Sequence, residues 1–376
     1  MGKTTAPRMF YDHLCAGMAQ CGFKPCDSDP CLFIHKTDPV MVLAYVDDCI
    51  YMGPNKDLIN KHIRNLKDKG YTLTTEEDSD MFGFLGIDVK RRGKSIELTQ
   101  KGLIQKAINY VGLAEGKSKP TPAAANPLGS DKDGEPFAKD WNYAAAIGML
   151  LYVSSNTRPD IQFAVHQCAR FTHNPKKSHG EAVKRICRYL LGTKDRGILF
   201  TPDLTEGLNC YVDADFAGLW GYEDEQDPVC VKSCTGFTLT LFGCPIIWAS
   251  KLQTEITLSS TAAEYVAFSM AMRELLPMRV LLQELGIKMK LEFAQPSLVH
   301  STVFEDNQGC LALVNMPRMS PRNKYLALKY HFFQNEIGPE KGIIAKWITT
   351  KEQRADILTK GLQGQDFTTI CKLLMG

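Results

Sequence analysis

Two adjacent carboxylates, Asp47 and Asp48, stand at the apex of an otherwise apolar run, Met41-Val-Leu-Ala-Tyr-Val-Asp-Asp-Cys-Ile-Tyr-Met-Gly. Neighbouring anions repel, so the pair belongs either at a solvated turn or beside the divalent cations that phosphoryl transfer also needs. On the residues alone, a polar hairpin tip and a metal-binding tip read equally well. A second group of acids is spread through the C-terminal half. Asp213 ends the strand-like run Leu208-Asn-Cys-Tyr-Val-Asp, with Asp215 at the same-face spacing of a strand. Glu264 sits early in a helical stretch, Asp306 closes Thr302-Val-Phe-Glu-Asp, and Asp356 falls in the first turn of a helix opening near Glu352. Singly, each reads more readily as a surface or helix-start acid. Together, four carboxylates at element ends could converge on one sheet edge, where only paired divalent cations would hold them charged and close.

These acids need elements to position them. Hydrophobic spacing predicts a helix over 7–22, short apolar runs over 31–35 and 40–52, and a helix over 56–69. Two paired strands follow, over 82–90 and 95–100 with a turn at Arg92-Gly93-Lys94, and then a helix over 100–110. Residues 116–140 turn to Pro, Ala, Gly, Ser, Asp and Lys and read as a linker. Helices over 141–156, 161–171 and 179–191 come next, and the last of them is amphipathic and basic on its polar side. From Leu208 the order becomes strands over 208–214, 235–241 and 246–250, then a helix over 260–285 broken near Pro277. It continues with a strand over 301–305, a helix over 308–315, a strand over 343–348 and a closing helix entering at Glu352. The fold class is therefore α+β to α/β, with a mixed sheet flanked by helices in the C-terminal part.

At 376 residues, 44% hydrophobic and 23% charged, the chain can build two or three cores of ordinary size. A net charge of +2 leaves any nucleic-acid contact to local basic surfaces rather than a global field. The densest such stretch holds Arg170, Lys176, Lys177, Lys184, Arg185, Arg188, Lys194 and Arg196. Without context it reads as a solvated helix face. The 13 cysteines form no CxxC pair and no zinc-spaced cluster, which suits reduced thiols in an intracellular protein. With no secretory leader and no uncharged apolar run of membrane-spanning length, we expect a soluble chain with no membrane partner.

Several motifs, in order, resemble the copia-type LTR retrotransposon Pol polyprotein in its C-terminal part. Ala6-Pro-Arg-Met-Phe-Tyr-Asp-His-Leu, Asp29-Pro-Cys-Leu-Phe, Tyr45-Val-Asp-Asp, Phe84-Leu-Gly-Ile-Asp-Val and Leu98-Thr-Gln are similar to its reverse-transcriptase palm. Tyr143-Ala-Ala-Ala-Ile-Gly, Thr157-Arg-Pro-Asp-Ile and Ala182-Val-Lys-Arg-Ile-Cys-Arg-Tyr-Leu-Leu-Gly-Thr resemble its helical thumb or connection. Tyr211-Val-Asp-Ala-Asp-Phe-Ala-Gly, Ser233-Cys-Thr-Gly-Phe, Leu258-Ser-Ser-Thr-Ala-Ala-Glu-Tyr, Glu305-Asp-Asn-Gln and Ala355-Asp-Ile-Leu-Thr-Lys resemble its RNase H.

The resemblance implies a partial palm over 1–115, a linker over 116–140, a helical thumb- or connection-like region over 141–205 and an RNase H-like domain over 206–376. Asp47 and Asp48 would hold the polymerase magnesium, Tyr45 would lie near the incoming nucleotide, and Phe84, Leu85 and Gly86 would grip the primer end. The family's upstream metal-binding Asp and fingers should precede Ala6. We therefore expect little polymerase activity from this chain alone, and upstream Pol segments as a further partner. Asp213, Glu264, Asp306 and Asp356 would hold two Mg2+ or Mn2+ ions and hydrolyse the RNA strand of an RNA/DNA hybrid. Lys184, Arg185 and Arg188 would meet the phosphates of a template-primer duplex. Asp215 is expected beside the ligands or on the surface, His331 in packing or capping, and Arg354 and Lys360 at phosphate. Location would be cytoplasmic, or in a virus-like particle if the element is active. The other reading is an inert relic that binds nucleic acid or protein without turnover.

Overall fold

In the computed structural model, which describes residues 6–74, 81–290, 299–316 and 330–376, the chain divides into two units. One comprises Met1–Ser79 with Leu276–Val299, and the other Asp80–Leu275 with His300–Gly376.

The first unit opens with α1 (Ala6–Gln20), followed by four short strands, β1 (Phe23–Pro25), β2 (Leu32–His35), β3 (Met41–Tyr45) and β4 (Asp48–Met52). They pair in chain order as an antiparallel sheet. Helix α2 (Lys56–Asp68) starts where the Asn55 side chain accepts the Leu58 N–H. Alternation along β3 buries Val42 and Ala44 on one face, against Leu14, Met18, Phe23, Phe33 and Leu66. On a second cluster, Leu281, Leu285 and Met289, spaced four apart on a helix, pack on Cys26, Leu32 and Ile34. The Glu284 carboxylate accepts the backbone N–H groups of Asp27 and Ser28 at 2.7 and 2.9 Å.

In the second unit, β5 (Met81–Phe84), β6 (Ile87–Arg92), β7 (Ser95–Thr99) and β8 (Ile198–Phe200) form an antiparallel sheet in that order. The run over 82–90, expected as one strand, is itself a hairpin. It reverses at Leu85-Gly86, where both residues take positive φ (52° and 71°), the backbone of a tight two-residue turn. Helices α3 (Lys101–Tyr110), α4 (Tyr143–Asn156), α5 (Gln162–Ala169) and α6 (Lys177–Gly192) follow. Their core includes Ile104, Ile108, Leu150, Val165, Ile186 and Leu190, and it also takes Phe367, Ile370 and Leu374 from the last helix. Fully buried Arg158 pairs with Asp160 at 2.7 Å, and the Tyr189 hydroxyl donates to the same carboxylate at 2.5 Å.

The remaining elements are β9 (Leu208–Asp215), β10 (Cys234–Leu241), β11 (Cys244–Leu252), α7 (Ser260–Met289), β12 (Ser301–Glu305), α8 (Gln308–Val314), β13 (Ile343–Trp347) and α9 (Gly364–Met375). Five strands form a mixed sheet in the order β11-β10-β9-β12-β13, antiparallel across β11-β10-β9 and parallel across β9-β12-β13. With its flanking helices this is the mixed-sheet architecture expected from the sequence, consistent with an RNase H-like fold.

Two further local expectations change. Helix α7 is continuous through Pro277, and the interruption expected there coincides instead with the border between units at Leu275/Leu276. The helix expected to open at Glu352 is two 3-10 turns, Thr350–Glu352 and Arg354–Leu358, before α9 begins at Gly364. Between the turns, Gln353 is extended, and its buried amide donates to the Val212 carbonyl at 2.8 Å. That bond draws the chain onto the sheet instead of letting a helix propagate.

Candidate metal centre

Parallel pairing aligns the C-terminal ends of β9 and β12. The match of Phe304 with Tyr211 carries Asp306, two residues on, to the level of Asp213. Glu264 reaches the same edge from the second turn of α7. The ligand-type atoms of Asp213, Glu264 and Asp306 all lie within 4.8 Å of one another, with Asp213 and Glu264 buried and Asp306 half-buried. Asp306 is held by the Thr350 hydroxyl, which donates to Oδ2 at 2.8 Å, and its carbonyl accepts the Trp347 indole N–H at 3.2 Å.

Asp356 arrives from the 3-10 turn Arg354–Leu358, which packs on β9 and β10. The turn approaches because Gly236, paired across from Asp213, has no side chain there. The Thr359 hydroxyl donates to Asp213 Oδ2. Lys360 Nζ lies 3.0 Å from Asp356 Oδ1 and 3.8 Å from Asp213 Oδ2. Arg354 turns away, lying over the Tyr211 ring at 4.6 Å and donating to the Gly243 carbonyl. Asp215, on the edge of the group, is half-buried, and burial pushes its carboxyl up to about 6.

A fifth acid completes the group. Glu305 is fully buried, on the inward face of β12 with Ser301 and Val303, and accepts the Asn307 N–H at 3.0 Å. The sequence carries a signal for it, an acid at the buried phase of an alternating strand. Burial, then the charge of Glu305, pushes Glu264 up to about 11; burial, then Asp213, pushes Asp356 up to about 7. Burial likewise raises Asp213 and Glu305. Such acids are held back from ionisation by burial and by one another's charge, and a dication would offset both effects. The donor set is all carboxylate oxygen, and Glu264 Oε2 is buried with no hydrogen-bond partner among the described residues. These residues fit a hard divalent ion.

The other expected sites are placed differently. Asp47 and Asp48 are exposed at the β3-β4 turn, which closes on the Tyr45/Asp48 pair, with Val46 at φ 51° and Tyr45 57% exposed. Neither aspartate joins a group of three metal-ligand side chains among the described residues. Phe84, Leu85 and Gly86 form the β5-β6 turn, where the Tyr152 hydroxyl donates to the Leu85 carbonyl. Lys184 and Arg188 face Glu181 at 3.1 and 3.8 Å, and the Arg185 guanidinium donates to Thr121. His331 Nδ1 lies 2.9 Å from the Tyr265 hydroxyl, in packing. In the acidic stretch Glu223-Asp-Glu-Gln-Asp, Glu223 pairs with Arg170 at 2.6 Å and Asp224 with Lys132.

A second cluster, His35, Asp38 and His62, lies in the first unit. There Asp38 already meets His62 Nε2 at 2.9 Å and Lys61 at 3.0 Å, and His35 Nδ1 accepts the Asp38 N–H. These atoms are engaged in a polar network, whereas His62 Nδ1 is buried with no hydrogen-bond partner among the described residues.

A family model described as reverse transcriptase (RNA-dependent DNA polymerase) matches residues 1–125. The Pol polyprotein from transposon RE1 of Arabidopsis thaliana is 32% identical over 97% of this chain and 24% of its own length. That from transposon TNT 1-94 of Nicotiana tabacum is 31% identical over 100% of this chain and 27% of its own. The chain is a retrotransposon-derived, Pol-like protein, homologous to the copia-type Pol polyproteins. This Pol-like chain spans about a quarter of the length of these curated relatives. No helix among its described residues is long and apolar enough to cross a membrane.

Proposed function

We propose that the Pol-like chain is an RNA/DNA-hybrid ribonuclease joined to a reverse-transcriptase palm, with the hydrolytic chemistry at Asp213, Glu264, Asp306 and Asp356. The observation that carries this reading is the meeting of three carboxylates within 4.8 Å at one sheet edge, beside a fourth buried acid. Two Mg2+ or Mn2+ ions would supply an activated water and stabilise the departing 3′ oxygen. Asp213, on the central strand of the sheet, would hold the ions together with Glu264, Asp306 and Asp356. Thr359 fixes its carboxylate, as Thr350 fixes Asp306. Preference for RNA would rest on the 2′-hydroxyl.

Asp47, Asp48 and Tyr45 with the Phe84-Leu85-Gly86 turn keep the proposed polymerase roles, metal and nucleotide at the first hairpin and primer at the second. Lys184, Arg185 and Arg188 are proposed to contact a template-primer duplex, exchanging their internal partners for phosphate. We take the working boundaries as 1–115, 116–140, 141–205 and 206–376, and the location as the cytoplasm or a virus-like particle.

The test is cleavage of the RNA strand of a labelled hybrid in Mg2+ or Mn2+. Asp213→Asn and Glu264→Gln are expected to fall to background. Wild-type protein no better than Asp213→Asn would leave the inert binding module as the reading.

A further inference from the structure

Of the two bases in the segment carrying Asp356, one turns outward onto an aromatic ring and the other inward. Lys360 Nζ sits between two carboxylates whose side chains are 8% and 5% exposed, while its own side chain remains 41% exposed. Its position is set by the backbone, since the Lys360 N–H donates to the Asp356 carbonyl at 3.2 Å. Glu264 and Asp306 form the other side of the group with Asp213. The ammonium therefore stands where a cation shared by Asp356 and Asp213 would stand, and not where one shared by Asp213, Glu264 and Asp306 would.

We propose that Lys360 is a resident counter-cation, a positioning residue that holds Asp356 and Asp213 in place and competes with a divalent ion for the position between them. This rests on the metal-centre reading above. Its flexible four-carbon stem and partial exposure give the ammonium a path to solvent when an ion binds. The two consequences have opposite signs. Removing the charge leaves buried acids uncompensated and weakens the metal-free protein, yet removes the competitor and tightens metal binding. A lysine that merely supported the fold would lower both.

The experiment titrates Mn2+ calorimetrically into the full chain without nucleic acid, for wild type, Lys360→Met and Lys360→Arg, with thermal unfolding in EDTA alongside. A unit charge removed at this range from a partly exposed site should tighten binding on the order of tenfold. Lys360→Met is expected to bind Mn2+ about that much tighter and to melt lower in EDTA, and Lys360→Arg to return both towards wild type. Should Lys360→Met fail to fold, the 13Cε resonance of Lys360 in the wild type is followed during a Mg2+ titration. It should shift with the binding midpoint, and an unmoved resonance overturns the proposal. Binding by wild type that is equal or tighter than that of Lys360→Met refutes the counter-cation alone. No binding by either protein refutes the metal centre as well.

Discussion

Gly236→Ala tests how the fourth acid is delivered. A Cβ at this position would stand 2.7 Å from Thr359 Cγ2, 2.9 Å from Leu358 Cβ and 3.0 Å from the Ala355 carbonyl oxygen. Carbon atoms settle at about 3.5–4.0 Å, so the turn must retreat by roughly 0.5–1 Å. It cannot move alone, because Thr359 donates to Asp213 and Asp356 lies within it. Overpacking of this kind costs about 1–3 kcal/mol in stability. A misplacement near 1 Å at the reacting geometry costs about 100-fold in rate. We therefore expect Gly236→Ala to fold, to melt a few degrees lower (about 1–3 kcal/mol), and to lose hybrid cleavage out of proportion to that loss. Adding Thr359→Ser removes the shortest contact while keeping the hydroxyl on Asp213, and should restore part of the rate. Cleavage and melting at wild-type values in Gly236→Ala, or no recovery in the double variant, would refute this account of how Asp356 is placed.

Two further outcomes follow from buried charge. Arg158→Met leaves Asp160 fully buried without its partner, and should cost about 3–5 kcal/mol by denaturant unfolding; a loss below about 1 kcal/mol would show that Tyr189 alone satisfies the carboxylate. His166 is pushed down to about 4, first by burial and then by Arg170 and Lys251. The unfolded chain therefore takes up its proton before the folded one as pH falls. Its stability contribution is intact above about 6.5 and is lost towards pH 4, by up to about 3 kcal/mol. His166→Gln should flatten that part of the stability-against-pH curve, and an unchanged curve would place the acid sensitivity elsewhere.

Some of this was legible in the sequence because it is local. Asp213 and Asp306 each follow an apolar run whose alternation marks a strand, and Glu264 follows small residues at helical spacing, so their positions at element ends could be read directly. That the two strands are parallel neighbours, and so present both acids at one edge, comes from pairing between residues about ninety apart in the chain. The same non-locality hides the partners of the acidic stretch after Gly221, since Arg170 and Lys132 lie far upstream. Helical spacing around Asp356 was real, but it does not distinguish an α-helix from a 3-10 turn when one buried side chain, Gln353, ties the start to the sheet. Nor does it say which of Arg354 and Lys360 faces the acids. Glu305 is the instructive case: the alternation that makes β12 a strand also assigns that acid to the core, where an unpaired carboxylate is costly. Its burial beside Glu264 is tolerable when the acid is neutral, and burial drives it that way. Glu305 alone is therefore satisfied by a proton, and it is the three neighbouring carboxylates within 4.8 Å that favour a metal-dependent centre.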